Sequence, residues 1–168
     1  MTEVETEAEK TSSKTTADSE TIVTEVVCPN DTNPMGMLQG GRLVQWMDIA
    51  SAVCAQEHAG KICVTSGIHT LRFKKAAQVG DIITIKATVT RAFNTSMEIK
   101  VKAWRKKVAP GSIKELINEA YFTFVALGEN ARPAKIPALV PVSPEEVTEY
   151  NDALVRKNAI SLHESHPA

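Results

Sequence analysis

No apolar run in this 168-residue chain is long enough to cross a bilayer, so no membrane partner is expected. Charge of one sign is not in excess either. The formal net charge is −1, which gives no reason to expect nucleic acid. Cysteines are few: Cys28, Cys54 and Cys63 are an odd set without ligand spacing, read as reduced thiols and not as a metal site. The first residues have neither the apolar core of a signal peptide nor the arginine-rich amphipathicity of a transit peptide, so a cytoplasmic location is expected. No internal repeat is visible.

What is present is an ordinary globular composition, 43% hydrophobic and 23% charged, with enough length for one core. Residues 1–20 hold six acids and two lysines and almost nothing apolar, which predicts a disordered acidic tail. One folded domain is expected over 21–160, with a polar tail over 161–168. Thr21–Val27 reads as a strand and 28–40 as a loop. Residues 41–59 read as a helix that stops at Gly60. Strand-like segments follow at Lys61–Phe73, Ile82–Arg91, Met97–Arg105 and Ala120–Leu127. In the third of these, Met97, Ile99, Val101 and Ala103 alternate with Glu98, Lys100 and Lys102. Residues 128–142 are punctuated by proline. Ser143-Pro144-Glu145-Glu146 then starts a C-terminal helix with an N-cap, a first-turn proline and early acids.

One helix, apolar nearly all round, among long antiparallel strands predicts an α+β fold. A curved sheet wraps that helix, and a second helix ends the chain. Within the apolar helix one carboxylate, Asp48, is out of place, and a lone ionised carboxylate there is costly unless it is paired, hydrated or used. Just upstream, Asn33 and the pair Gly40-Gly41 lead into the helix start. Backbone N–H groups at a helix N-terminus can face an oxyanion, and a carboxylate can supply a base.

The order Asp31-Thr32-Asn33-Pro34-Met35-Gly36-Met37-Leu38-Gln39-Gly40-Gly41, then Met47-Asp48-Ile49-Ala50, resembles the hotdog-fold acyl-CoA thioesterases. Val64-Thr65, Val79-Gly80-Asp81, Thr95-Ser96-Met97-Glu98 and Phe122-Thr123-Phe124-Val125-Ala126-Leu127 extend the resemblance over roughly 22–157. It implies hydrolysis of fatty acyl-CoA to free acid and CoA, with no metal and no organic cofactor. Asn33 and Asp48 would form the catalytic pair across a homodimer interface, and the dimers would assemble into hexamers. Gly40 and Gly41 are the oxyanion candidates. Arg72, Lys75, Arg91, Asn94, Thr95, Ser96, Lys107 and Arg132 are the CoA-binding candidates. The chain departs from the family at Gln39, where an aromatic residue or a histidine is usual, and at His69, where an aspartate is usual. Two rivals stay open: an enoyl-thioester hydratase using His69 or His58, and a non-catalytic acyl-CoA or nucleotide sensor. A Cys54–His58 nucleophile pair is set aside because buried helix cysteines are inert.

Overall fold

In the fourth strand, period-two alternation turns one side toward an apolar interior. Met97, Ile99, Val101 and Ala103 are all fully buried in a computed structural model that describes residues 12–165. The strands are β1 (Thr21–Val26), β2 (Ile62–Phe73), β3 (Ile82–Ala92), β4 (Ser96–Lys106) and β5 (Glu115–Leu127). They form one antiparallel sheet in the order β1-β3-β4-β5-β2. Helix α1 (Gly40–Ala59) lies on the inner face. Its Leu43, Met47, Ala50 and Cys54 meet Ile83, Ile85, Ile99, Phe122 and Phe124 in the core. Gly60 ends α1 in the left-handed region (φ 64°), with its N–H donating to the Gln56 carbonyl.

Helix α2 (Pro144–Glu164) lies on the outer face and is attached differently. Only Ala153 of α2 is buried. Its hold is ionic: Arg156 grips Glu98 with two hydrogen bonds of 2.9 and 2.7 Å, and Glu98 is only 6% exposed. Thr90 Oγ1 donates to the same carboxylate at 2.6 Å. Glu149 accepts from Lys100, from Tyr121 and from Arg156, whose guanidinium also stacks over the Tyr121 ring at 3.9 Å. Burial opposes the charge of Glu149. The Lys100 hydrogen bond and the nearby cations outweigh it and hold the carboxyl below its ordinary value.

Three expectations need correction. The acidic tail does not extend to residue 20. Residues 1–11 lie outside the described residues, but 12–20 form a strap against the domain, with Thr16 and Ser19 buried. Lys14 N–H donates to the Ala138 carbonyl, and the Val140 N–H donates to the Lys14 carbonyl. Helix α2 continues past 160 to Glu164, and residues 166–168 are outside the description. Strand β5 begins at Glu115, five residues before the expected Ala120. Its first residues include two glutamates that carry cross-strand ion pairs, Glu115 with Arg105 and Glu119 with Lys102. Helix α1 keeps one uncovered stretch within the chain, where Ile49 is 51% and Val53 41% exposed.

Candidate functional site

Asp48 stands half-buried on the α1 side nearest β2. Because Gly60 turns the chain straight from α1 into β2, the two elements run side by side. Thr65 thereby reaches Asp48: its Oγ1 donates to Asp48 Oδ1 at 2.6 Å. Asp48 Oδ2 has no partner among the described residues. One oxygen is therefore fixed and the other is free, an arrangement suited to a base or a nucleophile. In the sequence Thr65 stood only as part of a shared dipeptide, and nothing local marks it as the carboxylate's partner. Beside the pair, Val64 and Ile62 of β2 are exposed, and among the described residues β2 is an edge strand bonded only to β5.

Asn33 sits in the loop before α1. Its Oδ1 accepts from the N–H groups of Met35 and Met37 at 3.0 and 3.1 Å, and Gly36 turns the loop at φ 73°. With the carbonyl oxygen committed to the loop, Asn33 presents its NH2 as a donor. Gln39 steadies the loop further by donating to the Thr32 carbonyl at 3.0 Å, and Arg42 pairs with Asp31 at 3.1 Å. Gly40 and Gly41 are the first two residues of α1, where N–H groups have no intrahelical acceptor, and no side chain caps them. The Phe73 ring lies 3.1 Å from where a Gly40 Cβ would stand, so any other residue here would push the ring back by a few tenths of an ångström. At Gly41 the corresponding space is open. Asn33 and Asp48 share no hydrogen bond within the chain. Asp48 is eight residues past Gly40, about 12 Å along the helix axis.

The CoA-binding candidates do not gather in one place. Arg72, Lys75 and Lys107 belong to the end of the sheet nearer the α1 N-terminus, and Lys75 is held by Glu115 at 2.9 Å. Asn94, Thr95 and Ser96 form the β3–β4 turn at the opposite end. There the Asn94 carbonyl accepts from Ile136 N–H and the Thr95 carbonyl from Ala126 N–H, which brings the segment carrying exposed Arg132 alongside. Arg91 is a correction: its guanidinium donates to the Tyr150 carbonyl at 3.0 Å and stacks on the Tyr150 ring, so it anchors α2. A cavity of about 430 Å³ between α2 and the outer face includes Lys100 and Lys102, but both are paired with glutamates.

Burial pushes the Cys54 thiol up to about 12 and the Cys63 thiol to about 11, so neither is a nucleophile. His58 is fully buried, its Nε2 bonds the Pro137 carbonyl at 2.9 Å, and burial pushes its pKa down. His69 lies over Gly67 and lines a cavity of about 200 Å³ with Ser66, Glu98 and Lys157 on the α2 side, the sheet face opposite Asp48. Glu98 is already claimed by Arg156 and Thr90, and His69 bonds neither it nor Glu164, the other carboxylate of that cavity. Among the described residues no cluster of three or more metal-ligating side chains occurs.

Residues 35–111 match the thioesterase superfamily model. An uncharacterized acyl-CoA thioester hydrolase of Bacillus subtilis (strain 168) is 31% identical over 89% of this chain and 86% of its own length. The chain belongs to the acyl-CoA thioester hydrolase family. An acetyl-coenzyme A thioesterase of Mus musculus is 34% identical over 89% of the chain, which spans only 27% of that relative's length. Among solved structures, an apo-hexameric acyl-CoA thioesterase superposes with a TM-score of 0.88 at 31% identity, over 93% of this chain and 99% of that one. An acyl-CoA hydrolase of Staphylococcus aureus in complex with butyryl coenzyme A and coenzyme A gives 0.83 at 30% identity, over 90% and 94%. Alanine variants of that hydrolase at an asparagine, an aspartate and a threonine have also been solved. The family's hotdog fold is the architecture described above.

Proposed function

We propose that this chain hydrolyses fatty acyl-CoA thioesters as a homo-oligomer, with Asp48 as the reacting carboxylate and Asn33 of the partner subunit as its donor. The observation that carries this reading is the Thr65–Asp48 hydrogen bond, which leaves one carboxylate oxygen free. The spacing supports it. Asn33, Asp48 and Thr65 are 15 and 17 residues apart, as are the asparagine, aspartate and threonine substituted in the S. aureus hydrolase. Relatives named as thioester hydrolases, a structural neighbour bound to coenzyme A and neighbours named as hexameric support the substrate class and the assembly.

In this reading a second copy covers Ile49, Val53 and the free β2 edge, which would otherwise be left as unpaired backbone and apolar surface. Three such dimers make the hexamer. Asp48 Oδ2 takes a proton from water as that water adds to the thioester carbonyl. The oxyanion is held by the Asn33 NH2 and by N–H groups at Gly40 or Gly41. Collapse breaks the C–S bond, and the thiolate leaves and takes up a proton. Side chains and water supply the whole sequence, so no cofactor is invoked. Direct attack by Oδ2, forming an anhydride, would use the same free oxygen. A single turnover in heavy-oxygen water tests the anhydride route, because label enters Asp48 only if water opens an anhydride at the aspartyl carbonyl. Arg132, Asn94, Thr95 and Ser96 at one end, with Arg72, Lys75 and Lys107 at the other, are the remaining groups for the CoA phosphates.

The test is CoA release from acyl-CoAs of increasing chain length. Asp48→Asn is nearly isosteric and should cut turnover about 10²- to 10⁴-fold without unfolding the protein. Mixing Asn33→Ala with Asp48→Asn protomers should restore part of the activity, because some interfaces then hold one intact pair. Full turnover in Asp48→Asn would remove the carboxylate from the mechanism. Bound acyl-CoA with no turnover in the unmodified chain would make it a sensor.

A further inference from the structure

The end of the sheet beyond β4 presents apolar side chains and unpaired cations to solvent, and of these the thioesterase reading gives a role only to Lys107. The β4–β5 hairpin runs Lys106-Lys107-Val108-Ala109-Pro110-Gly111-Ser112-Ile113-Lys114. Its tip exposes Val108 at 78% and Ile113 at 74%. Side chains that exposed contribute nothing to the core, and two in one turn are not needed to make a hairpin. The strand register brings more of the same to this end. Ile82 opposes Lys106 on one side and Val26 on the other, and Val26 is exposed. Val79, also exposed, is tied through its N–H to Gly36, next to exposed Met35.

Charge completes the pattern. Lys74, Lys106, Lys107 and Lys114 are exposed and form no ion pair among the described residues. The carboxylates nearby are already engaged. Glu115 is shared by Lys75 and Arg105, Asp31 is held by Arg42, and Asp81 is buried with its carboxylate accepting from Gln78 N–H. Glu25, opposite Ile83, is the exception. This end is therefore cationic in a chain whose formal net charge is −1.

We infer that the β4–β5 hairpin tip docks on an anionic lipid surface, Val108 and Ile113 entering the interface while Lys106, Lys107 and Lys114 meet the headgroup phosphates. No described helix is long and apolar enough to cross a membrane, but peripheral contact needs only an apolar tip and a cationic collar. Phosphates of free CoA would satisfy the lysines equally well, but they give no reason for two aliphatic side chains in open solvent. A lipid surface accounts for both. It is also where long-chain acyl thioesters, being amphiphiles, partition.

Co-sedimentation of the full chain with vesicles tests this, comparing phosphatidylcholine alone with a phosphatidylcholine–phosphatidylserine mixture at low and at high salt. Binding is expected only to the anionic vesicles, weakening with salt. Lys106→Gln and Lys114→Gln should each weaken it about fivefold. Val108→Ser with Ile113→Ser should weaken it more, with melting temperature and CoA release retained. Absence of binding to anionic vesicles by the unmodified chain would overturn the proposal. So would equal binding by the serine double variant. A drop in oligomer mass in that variant would make the tip a contact between copies, and displacement from vesicles by free CoA would assign the lysines to the nucleotide. Either result overturns the lipid role, and CoA release, read separately, reports on the hydrolase reading.

Discussion

Helices α1 and α2 differ by one residue in length and lie on opposite faces of the same sheet, but they are held by different physics. Eight residues of α1 are buried, against one of α2. The inner face binds its helix by excluding water from Met47, Cys54, Ile99 and Phe124, a force that is non-directional and indifferent to pH. The outer face binds its helix through Glu98, Glu149, Lys100, Tyr121 and Arg156, where geometry and ionisation both matter. The candidate site follows the first kind of attachment. Asp48 sits on the helix whose position is fixed by packing, so its free oxygen is presented by a rigid element.

The strongest way to break the contrast is from the apolar side. Met47→Ala leaves a cavity under α1 and should cost about 4 kcal/mol, read from denaturant unfolding. On the outer face, Arg156→Ala strands the buried Glu98 and should cost about 3 kcal/mol, discounted because the arginine is itself partly exposed. Pairing Arg156→Met with Glu98→Gln should recover most of that loss, a compensation with no counterpart for Met47→Ala.

Acid sharpens the comparison. His58, on α1, is pushed down by burial, so the unfolded chain takes up a proton that the folded chain refuses. Stability should begin to fall as pH drops below about 6.5. Glu149 is held below its ordinary value. Its contribution is complete above about pH 4.3 and is lost as pH falls through its lowered folded value. Melting temperatures between pH 7 and pH 5 should show the first step, and His58→Gln should flatten it. The smallest expected effect is a gain. Asn118 is fully buried on the apolar face, and its amide has no partner among the described residues. Asn118→Leu should stabilise the chain by about 1 kcal/mol, and a loss instead would mean that the amide is satisfied by bound water.

Local signals made much of this legible. The Gly60 stop, the Ser143-Pro144 start and the β4 alternation each act over a few residues, and each lies where the sequence puts it. Asp48 announced itself by being charged among apolar neighbours. Thr65 did not, because a threonine in a strand is unremarkable until a helix seventeen residues earlier folds against it. The same holds for Arg91, a surface cation by sequence that is spent on Tyr150 of α2. The start of β5 was hidden because its polar residues look like a loop unless the ion pairs with β4 are known. The strap over 12–20 was hidden by composition: buried Thr16 and Ser19 lie in a stretch whose acids and threonines read as solvated.

That strap also sets an order of events. Lys14 closes on Ala138 and Val140, a loop of more than a hundred residues. On the ribosome the strap emerges well before the backbone it pairs with, which is made only after β5 is complete. The earliest of the described residues to be synthesised are therefore among the last to reach their native places, and the clasp they form can close only on a domain that has already assembled.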